Sequence, residues 1–519
     1  MKRTWVVLAV VAVLAVAGVV VAAVRFLGGA DTLSGFTKRV VATGLADPYE
    51  IVWGPDGFLW ATEKSGNKVT RVDPRAGTRH TALDLPDAFH TPNGQDGVLG
   101  LAFHPGENSV YVSYTYDANP AAGVFEQRLK IVRYTHDTAT GRLVDPRDVI
   151  TGLPSSTDHQ SARLRFGPDG KLYYTIGDQG ANLFENFCQP NQAQRLPTAA
   201  EVRARDWVAY QGKTLRLDVD GGIPDDNPLL DGVRSHVYTY GHRNAQGLDF
   251  GSEGRLYQAE QGPQTDDEVN ILTKGGNYGW PFVAGYRDDK AYVYANWSAS
   301  SPTPCAELRY NTDRIPASVP QQKETDWTGP MVSPIHTFGT VDSGHDFVDS
   351  KCAKGSLYYV CWPTVANSSL AYYPVRPDGI PGWGDSLVMT NLKDGTVYHM
   401  TLRDGGTRIG TMTALWKARN RYRDTAFSPD GRSVYVATDS AGVVRGADGT
   451  PTFDLTDRGS IIEFRWAGQE TASTRAVGGT PMIIRVAVER EAVRSPRRPT
   501  CCARRRRRTP LTPHYGKRY

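Results

Sequence analysis

Short apolar, strand-like runs recur along the chain after Ser34, each preceded by a polar turn and closed by an acidic residue. The turn reads Pro-Asp-Gly in three copies and Ser-Glu-Gly in a fourth, and such sequences are typical of β-turns. The copies span residues 54–63, 167–178, 251–260 and 428–439. One unit of this kind cannot bury its own apolar face, so it has to stack against copies of itself.

Further strand-like pieces lie between the copies, at residues 109–115, 131–135 and 356–361, and a last one spans 460–466. Radially arranged four-stranded sheets, an all-β propeller, satisfy this pattern best. A β-sandwich or barrel with coincidental turn sequences is the alternative. Outside residues 201–206 and their surroundings we find no long amphipathic helix. Neither the P-loop nor the dinucleotide-binding glycine motif is present, so a nicotinamide enzyme is unsupported.

The composition agrees with a β-rich body. The 53 Gly and 33 Pro among 519 residues suit many short strands joined by tight turns. The 25 Tyr and 11 Trp suit half-buried pleated surfaces. We therefore predict a single large propeller domain at residues 35–466, between an N-terminal segment at 1–34 and a C-terminal tail at 467–519.

The formal net charge of +4 is unevenly distributed. From Arg490 onward eleven Lys/Arg face one acid, Glu491, so the rest of the chain is mildly acidic, at −6. This gives no electrostatic argument for nucleic acid. The tail contains five consecutive arginines, 504–508, and is expected to be disordered because like charges repel. It could contact anionic surfaces, but the lack of interleaved aromatic residues favours a dispensable segment.

The N-terminus carries a targeting segment. Lys2 and Arg3 precede an uncharged apolar run at residues 5–24, which Arg25 ends. The run is about long enough to span a bilayer, and longer than the usual ~7–15-residue core of a signal peptide. A retained anchor and a cleaved signal peptide both remain open, and either exports the body.

Export permits disulfide bonds among the six cysteines. Cys352 and Cys361 bracket a short segment, and we expect them to close a local loop. Cys188 and Cys305 are isolated in the sequence, so their pairing stays open. No CxxC pair or Cys/His spacing suggests zinc.

The first candidate for chemistry is the adjacent pair Asp158 and His159, followed by Asp178 at the end of a predicted strand. An imidazole held by a carboxylate is the usual arrangement of a general base near neutral pH. Asp178 could orient His159 if their two loops meet. A surface or structural histidine is the alternative.

Two further segments offer fixed polar groups. Arg243 and Asn244 supply a guanidinium and an amide, unless they form only a polar turn. Gly262-Pro263 exposes carbonyl oxygens, which hard cations such as Ca²⁺ prefer, and residues 266–268 add carboxylates. A solvated acidic loop is the alternative there.

A cationic cluster is formed by Lys393, Arg421 and Arg423. Alternate residues on a strand point to one face, so the two arginines can converge on a polyanion. Arginine forks suit carboxylates, although ordinary surface salt bridges would look the same in sequence.

Long stretches between Gly44 and Trp466 resemble the soluble quinoprotein glucose dehydrogenases, the glucose/sorbosone dehydrogenase family. The most distinctive are GQDGVLGLAFHP from Gly94, GLPSSTDHQSARL from Gly152, GHRNAQGL from Gly241, EQGPQTDDEVN from Glu260 and KGGNYGWPFVAGYRDD from Lys274. The resemblance implies a six-bladed propeller.

It also implies an activity: oxidation of aldoses at the anomeric carbon to the lactone, with the cofactors PQQ and Ca²⁺ and a quinone, cytochrome or dye as electron acceptor. In the family pattern His159 is the general base for the anomeric hydroxyl, and the hydride goes to C5 of PQQ. Asp178 supports this histidine. Arg243 and Asn244 bond the quinone oxygens.

The resemblance assigns the remaining positions in three groups. Gln95 and Asp158 line the sugar site. The cofactor is held by Thr364, Lys393, Arg421 and Arg423 between the aromatic walls Tyr359 and Trp362. Calcium on PQQ is bound by Gly262 and Pro263, and structural calcium near a dimer interface by Glu268, Tyr278, Ala284, Tyr286, Asp288 and Glu324.

One departure from the family concerns the substrate loop, where Leu183-Phe184 replaces a Gln-Leu pair and makes the wall more apolar. Sugar preference follows such contacts. Two rival functions are a calcium-dependent propeller lactonase or related hydrolase, which would not need the cationic cluster, and a non-catalytic propeller that binds carbohydrate.

Overall fold

The computed structural model describes residues 32–33, 35–312, 314–352 and 357–468. In this part of the chain six antiparallel sheets, each of four principal strands, confirm the predicted six-bladed propeller. The predicted anchor or signal run at 5–24 lies outside the described residues, as does the predicted tail beyond residue 468. Within the described residues no helix is both long and apolar enough to cross a membrane.

The four strands of each blade run in order from the inner strand outward. Blade 1 comprises Pro48–Trp53, Leu59–Glu63, Lys68–Val72 and Arg79–Asp84, and blade 2 comprises Val98–Phe103, Ser109–Asp117, Gln127–Asp137 and Arg142–Leu153. Blade 3 comprises Ser161–Phe166, Leu172–Ile176, Lys213–Leu217 and Val237–Tyr240, and blade 4 comprises Asn244–Phe250, Leu256–Gln261, Asp267–Leu272 and His336–Phe338. Blade 5 comprises Asn367–Tyr373, Ser386–Asn391, Val397–Arg403 and Arg408–Leu415, and blade 6 comprises Tyr422–Phe427, Ser433–Thr438, Ile461–Trp466 and Phe36–Ala42.

The ring is closed by strands from both ends of the described chain. Phe36–Ala42 pairs with Ile461–Trp466, so that Phe36 lies opposite Trp466, and the short strand Thr32–Leu33 extends the same sheet. The six inner strands contact one another in a cycle. Closure leaves each sheet only short, protected edges.

The core lies between the faces of neighbouring blades. Leu99 and Tyr111 of blade 2 pack with Leu164 and Tyr174 of blade 3, and all four are fully buried. Complete burial of one such side chain stabilises the fold by about 1.5–3 kcal/mol. The stacking predicted from the sequence repeat is therefore the packing of blade against blade.

The antiparallel order gives the propeller two distinct ends. At the mouth end the inner strands begin and the second strands finish. At the opposite end, the turn end, the inner strands connect to the second strands. All four repeat turns lie at this turn end: residues 54–58, 167–171, 251–255 and 428–432. The acidic residue that closes each repeat therefore reaches the mouth end.

Smaller elements decorate the blades. The hairpins are Leu229–Leu230 with Val233–Arg234, Tyr294–Ala295 with Gln321–Gln322, and Val444–Arg445 with Pro451–Thr452. The α-helices are Ala199–Ala204 and Tyr358–Cys361, and the 3₁₀-helices are Pro120–Ala122, Phe184–Asn186, Val208–Tyr210, Ser252–Gly254, Trp297–Ala299, Cys305–Glu307, Glu324–Asp326 and Ser350–Cys352.

One predicted strand is wrong. The described part of segment 356–361 forms the helix Tyr358–Cys361 instead. Val360 of this helix is buried against Cys352 and Val443, and a disulfide joins Cys352 to Cys361. Tertiary packing and the covalent closure override the strand-like pattern of the apolar residues here.

Candidate active site

A cavity of about 330 Å³ opens at the mouth end. Its lining includes Arg243, Pro263, Trp280 and Trp362, together with the two residues of the substrate loop, Leu183 and Phe184. These residues come from loops of several blades that are far apart in sequence. The repeat turns, at the turn end, contribute none of the described lining.

A histidine–carboxylate pair lies beside this cavity. His159 Nδ1 is 2.6 Å from Asp178 Oδ1, and the other ring nitrogen, Nε2, is 3.8 Å from Asp158 Oδ1. His159 is 5% exposed and Asp178 is fully buried. Asp178 accepts the Nδ1 proton, so neutral His159 presents an unprotonated Nε2. The structure thus brings together the three residues of the first sequence motif.

Neighbouring groups keep Asp178 ionised. Its Oδ2 accepts hydrogen bonds from Trp280 Nε1 at 2.7 Å and Asn191 Nδ2 at 3.0 Å. Burial alone would raise the pKa of Asp178, but His159, Arg243 and the hydrogen bond from Trp280 hold it below its ordinary value. A charged carboxylate that fixes one imidazole nitrogen is what a general base at the other nitrogen requires.

Local backbone geometry explains how the two loops meet. His159 lies two residues before the inner strand of blade 3 and adopts a positive φ of 44°. Gly177 lies opposite, at the end of the second strand, and a Cβ there would overlap the His159 carbonyl. The close approach therefore requires glycine at position 177.

A polar network connects the sugar-side residues to the cofactor-side residues. Gln95 donates to Asp158 Oδ1 and accepts from Asn244 Nδ2 at 3.4 Å. Gln246 donates to the same Gln95 oxygen at 3.2 Å. Gln95 is thus the connection between the residues assigned to the sugar and the amide assigned to the quinone.

Arg243 presents an unsatisfied donor to the site. Its Nη1 donates to the Gln261 carbonyl at 3.0 Å, and its guanidinium lies 5.5 Å from the ring centre of Trp280. Its Nε is buried and has no hydrogen-bond partner among the described residues. A buried donor without a partner is costly unless a ligand or water satisfies it.

A second histidine–carboxylate pair, which the sequence interpretation missed, holds Arg243 in place. Glu260 accepts from the Arg243 backbone N–H and lies 2.8 Å from His242 Nδ1. Burial raises the pKa of Glu260 to about 8, and burial with nearby Lys213 lowers that of His242 to about 3. Both residues lie within the family-like motifs, and Glu260 is the acid that closes the third repeat.

The carbonyls of Gly262 and Pro263 accept no hydrogen bond from any described residue. A Cβ at Gly262 would overlap the carbonyls of Thr265 and Asp266. The carboxylate of Asp267, which the sequence allowed as an acidic metal ligand, is engaged by backbone groups. It accepts backbone N–H groups from Gly262 at 2.9 Å and from the 365–366 segment.

The two arginines of the cationic cluster converge on one protein carboxylate. Arg423 donates to both oxygens of Asp439 at 2.8 Å, and Arg421 Nε lies 3.0 Å from Asp439 Oδ2. Despite burial, these arginines hold the pKa of Asp439 well below its usual range. The pair keeps a surplus of positive charge, because one carboxylate cannot neutralise two guanidinium groups.

Lys393, the third cation of the cluster, contacts Thr364. Its ammonium donates to Thr364 Oγ1 and to the Tyr359 carbonyl at 3.2 Å. Burial lowers the pKa of Lys393 to about 7 against the opposing charge of Asp267. Trp362 lines the cavity, whereas the Tyr359 side chain is 42% exposed.

The residues assigned to structural calcium lie in one region, and their side chains make different contacts. Glu268 accepts from Gly285 N at 2.6 Å, and Glu324 from Ala284 N at 3.0 Å and Asp288 N at 3.4 Å. Burial raises the pKa of Glu324 to about 7 and also raises that of Glu268.

The two tyrosines of that set differ in their surroundings. Tyr278 donates its hydroxyl to the Ile271 carbonyl at 2.6 Å, and Tyr286 is exposed. Among the described residues no group of three His, Cys, Asp or Glu side chains is arranged to hold a metal ion.

The substrate wall is braced by a disulfide that the sequence left open. Cys188 is bonded to Cys305. Beside the bond, Phe184 and Tyr310 have ring centres 5.3 Å apart, and Phe187 and Trp297 5.7 Å apart. The replacement of Gln-Leu by Leu183-Phe184 therefore extends an aromatic wall.

Known proteins similar to this chain identify its family. The family model for glucose/sorbosone dehydrogenase matches residues 45–304 and 333–445. The chain is 44% identical over 438 residues to quinoprotein glucose dehydrogenase B of Acinetobacter calcoaceticus, covering 83% of this chain and 91% of that protein.

Solved structures share the fold. The PQQ-bound form of aldose sugar dehydrogenase from Streptomyces coelicolor matches with a TM-score of 0.53 and 23% identity, over 83% of this chain and 98% of that chain. The soluble aldose sugar dehydrogenase of Escherichia coli in its apo form matches with a TM-score of 0.56 and 22% identity, over 83% and 99%. By the family model and the close relative, the chain belongs to the glucose/sorbosone dehydrogenase family.

Proposed function

We propose that the protein is a PQQ- and Ca²⁺-dependent dehydrogenase that oxidises aldose sugars at the anomeric carbon to the lactone. The observation that carries this proposal is the buried His159–Asp178 pair beside a cavity that Arg243 lines. The 44% identity to a quinoprotein glucose dehydrogenase supports the same chemistry. It is an oxidoreductase of the quinoprotein class.

The residues around the cavity fit PQQ and calcium. Arg243 Nε is a buried donor in need of an acceptor. The surplus positive charge at Arg421 and Arg423 suits a cofactor that carries carboxylates. The carbonyls of Gly262 and Pro263 are hard oxygen donors of the kind calcium prefers. A lactonase would need neither the cationic cluster nor the unsatisfied guanidinium.

When bound, PQQ supplies the quinone carbon that accepts a hydride, and Ca²⁺ polarises the quinone as a Lewis acid. His159 takes the proton of the anomeric hydroxyl at Nε2, the nitrogen that Asp178 leaves unprotonated. Asp178 stabilises the imidazolium that forms. Arg243 and Asn244 would donate to the quinone oxygens of the bound cofactor, an oxyanion-type role.

The sugar is oriented by Gln95 and Asp158, which lie on the far side of His159 from Asp178. Leu183 and Phe184 line the cavity and offer apolar contact to a ring face. We propose an exported enzyme that passes electrons to a quinone, cytochrome or other non-oxygen acceptor.

The first experiment uses the purified full chain in detergent. PQQ and Ca²⁺ are added, then glucose and a dye acceptor, beside EDTA-treated and PQQ-free samples. We expect dye reduction that needs both additions. Absence of PQQ binding would overturn the proposal and favour lactonase assays. Binding without glucose turnover would keep the class and move the test to other aldoses.

A further inference from the structure

Lys64 lies at the mouth end, directly after the second strand of blade 1, and neither sequence motif nor resemblance assigns it a role. It lines a small second cavity of about 10 Å³, together with Gln95, Gln246, Tyr49 and Arg423. That volume is about the size of one water molecule. Lys64 therefore shares a small cavity with the sugar-side Gln95 and with Arg423 of the cationic cluster.

The ammonium of Lys64 has only a neutral partner. Its Nζ donates to the Gly94 carbonyl at 2.8 Å. No ion pair of Lys64 occurs among the described residues, in contrast to Lys68 on the next strand, which lies 3.6 Å from Glu63. Burial lowers the pKa of Lys64, and the carboxylates of Asp439 and Asp47 oppose this effect.

Asp439 cannot neutralise all three cations around it. Arg421 and Arg423 already occupy both of its oxygens. Asp47 also acts on Lys64, so the three cations Lys64, Arg421 and Arg423 face two carboxylates and keep a net charge of about +1, because each carboxylate cancels one unit charge. Like charges held together in a partly buried site are unfavourable until an anion joins them.

We propose that Lys64 is a further cofactor-binding residue, which adds its positive charge to the surplus of the Asp439-paired arginines and so binds a carboxylate of PQQ. This inference rests on the proposed function. The sugar needs no such charge, since an aldose is neutral. Lys64 thereby acts on cofactor affinity rather than on proton transfer.

The test measures PQQ binding directly. PQQ is titrated into the Ca²⁺-loaded apoprotein, full chain, and binding is followed by quenching of tryptophan fluorescence at several salt concentrations. For Lys64→Met we expect an affinity about tenfold or more below that of the parent, since a charge-assisted contact is lost, and a weaker salt dependence. Lys64→Arg should restore most of the affinity.

Lys68→Met is the matched control, because it removes a cation from the same hairpin that already has a carboxylate partner. It should bind PQQ like the parent. If Lys64→Met folds poorly, the comparison of Lys64→Gln with Lys64→Arg replaces it.

Two results would overturn the inference. One is parent-like PQQ affinity in Lys64→Met and Lys64→Gln. The other is a raised KM for glucose at saturating PQQ with unchanged PQQ affinity, which would place Lys64 on the sugar side. If the parent itself binds no PQQ, the proposed function fails instead, so the two failures are distinguishable.

Discussion

The two ends of the propeller are built from the same repeat but have different requirements. At the turn end, the first two copies make the same turn, and the turn carboxylate accepts from its own neighbours: Asp56 from Trp60 Nε1 at 3.0 Å, and Asp169 from Tyr173 Oη at 2.9 Å. The third copy forms the short 3₁₀-helix Ser252–Gly254 instead. At the mouth end, each copy finishes in an acid with different partners. The turn end is thus repetitive and the mouth end is individual.

The closing acids show the divergence. Glu63 accepts hydrogen bonds from the backbone N–H of Ala46 and from Thr70. Asp178 accepts from the His159 ring, and Glu260 from the backbone N–H of Arg243. Asp439 pairs with Arg421 and Arg423. A repeated strand brings an acid to equivalent places around one opening, and neighbouring loops decide its chemistry. Substitutions at the mouth end should therefore change activity or affinity, and those at the turn end only stability.

The largest expected effect is at His159. Replacement of His159 by Ala removes the general base while the cofactor contacts stay, so turnover should fall by about 10³-fold with PQQ affinity unchanged. Steady-state kinetics at saturating PQQ measure this, with His80→Ala on the exposed outer strand of blade 1 as control. Retention of most activity would show that His159 is not the base.

The next effect compares two aspartates at opposite ends of one hairpin. Asp439→Asn leaves the buried Arg423 and the partly buried Arg421 without a counter-charge and should lower the free energy of unfolding by about 3 kcal/mol or more at pH 7. Asp430, which pairs with Arg465 at an exposed site, should contribute only about 0–1 kcal/mol. Urea denaturation of both Asn variants measures the difference; equal losses would contradict it.

The same aspartate predicts a pH dependence. Because the folded pKa of Asp439 lies below its ordinary value of 3.8, its stabilisation is present above that value and is lost as the pH falls through the folded pKa. The stability gap between the parent and Asp439→Asn should therefore be constant from pH 5 to 7 and shrink below about pH 4. A gap that widens in acid would contradict the assignment.

Two glycines extend the comparison to the backbone. A Cβ at Gly262 would overlap the carbonyls of Thr265 and Asp266 and so shift the loop that carries the carbonyls of Gly262 and Pro263. Gly262→Ala should therefore weaken calcium binding in the PQQ complex by about tenfold. A titration with Ca²⁺ at fixed PQQ measures it. Parent-like calcium affinity would remove these carbonyls from the site.

The smallest effect is at the turn end. Gly170 has a φ of +71°, and no atom lies within 4 Å of the position that a Cβ would occupy, so Gly170→Ala meets backbone strain but no clash. It should lower stability by about 1 kcal/mol and leave kcat/KM for glucose unchanged. A thermal melt and the dye assay test this, and a change in kcat/KM would break the contrast between the ends.

Much of the architecture was predictable from the chain alone. The four turn-and-strand copies and the stacking that they require predicted a propeller, and the resemblance supplied the number of blades. Segment 356–361 was wrongly predicted as a strand. Its apolar residues pack against Val443, which is distant in sequence, and Cys361 is joined to Cys352 by a disulfide.

The site was only partly predictable. Sequence proximity placed Asp158 beside His159, and the family motif named Asp178. The roles of Trp280, Asn191 and Glu260 depend on which loops meet, so no pattern in the sequence gave them.

By itself the sequence determined the repeating unit, its turns and its closing acids, because turn geometry and strand periodicity are local properties. Only the tertiary structure decided that Arg421 and Arg423 share Asp439 and that Cys188 joins Cys305. It also decided that Lys64 lines one small cavity with Gln95 and Arg423. Those contacts arise because closure of the ring brings loops of different blades around one opening. The residues that meet there are far apart in sequence, so local sequence rules cannot predict the contacts.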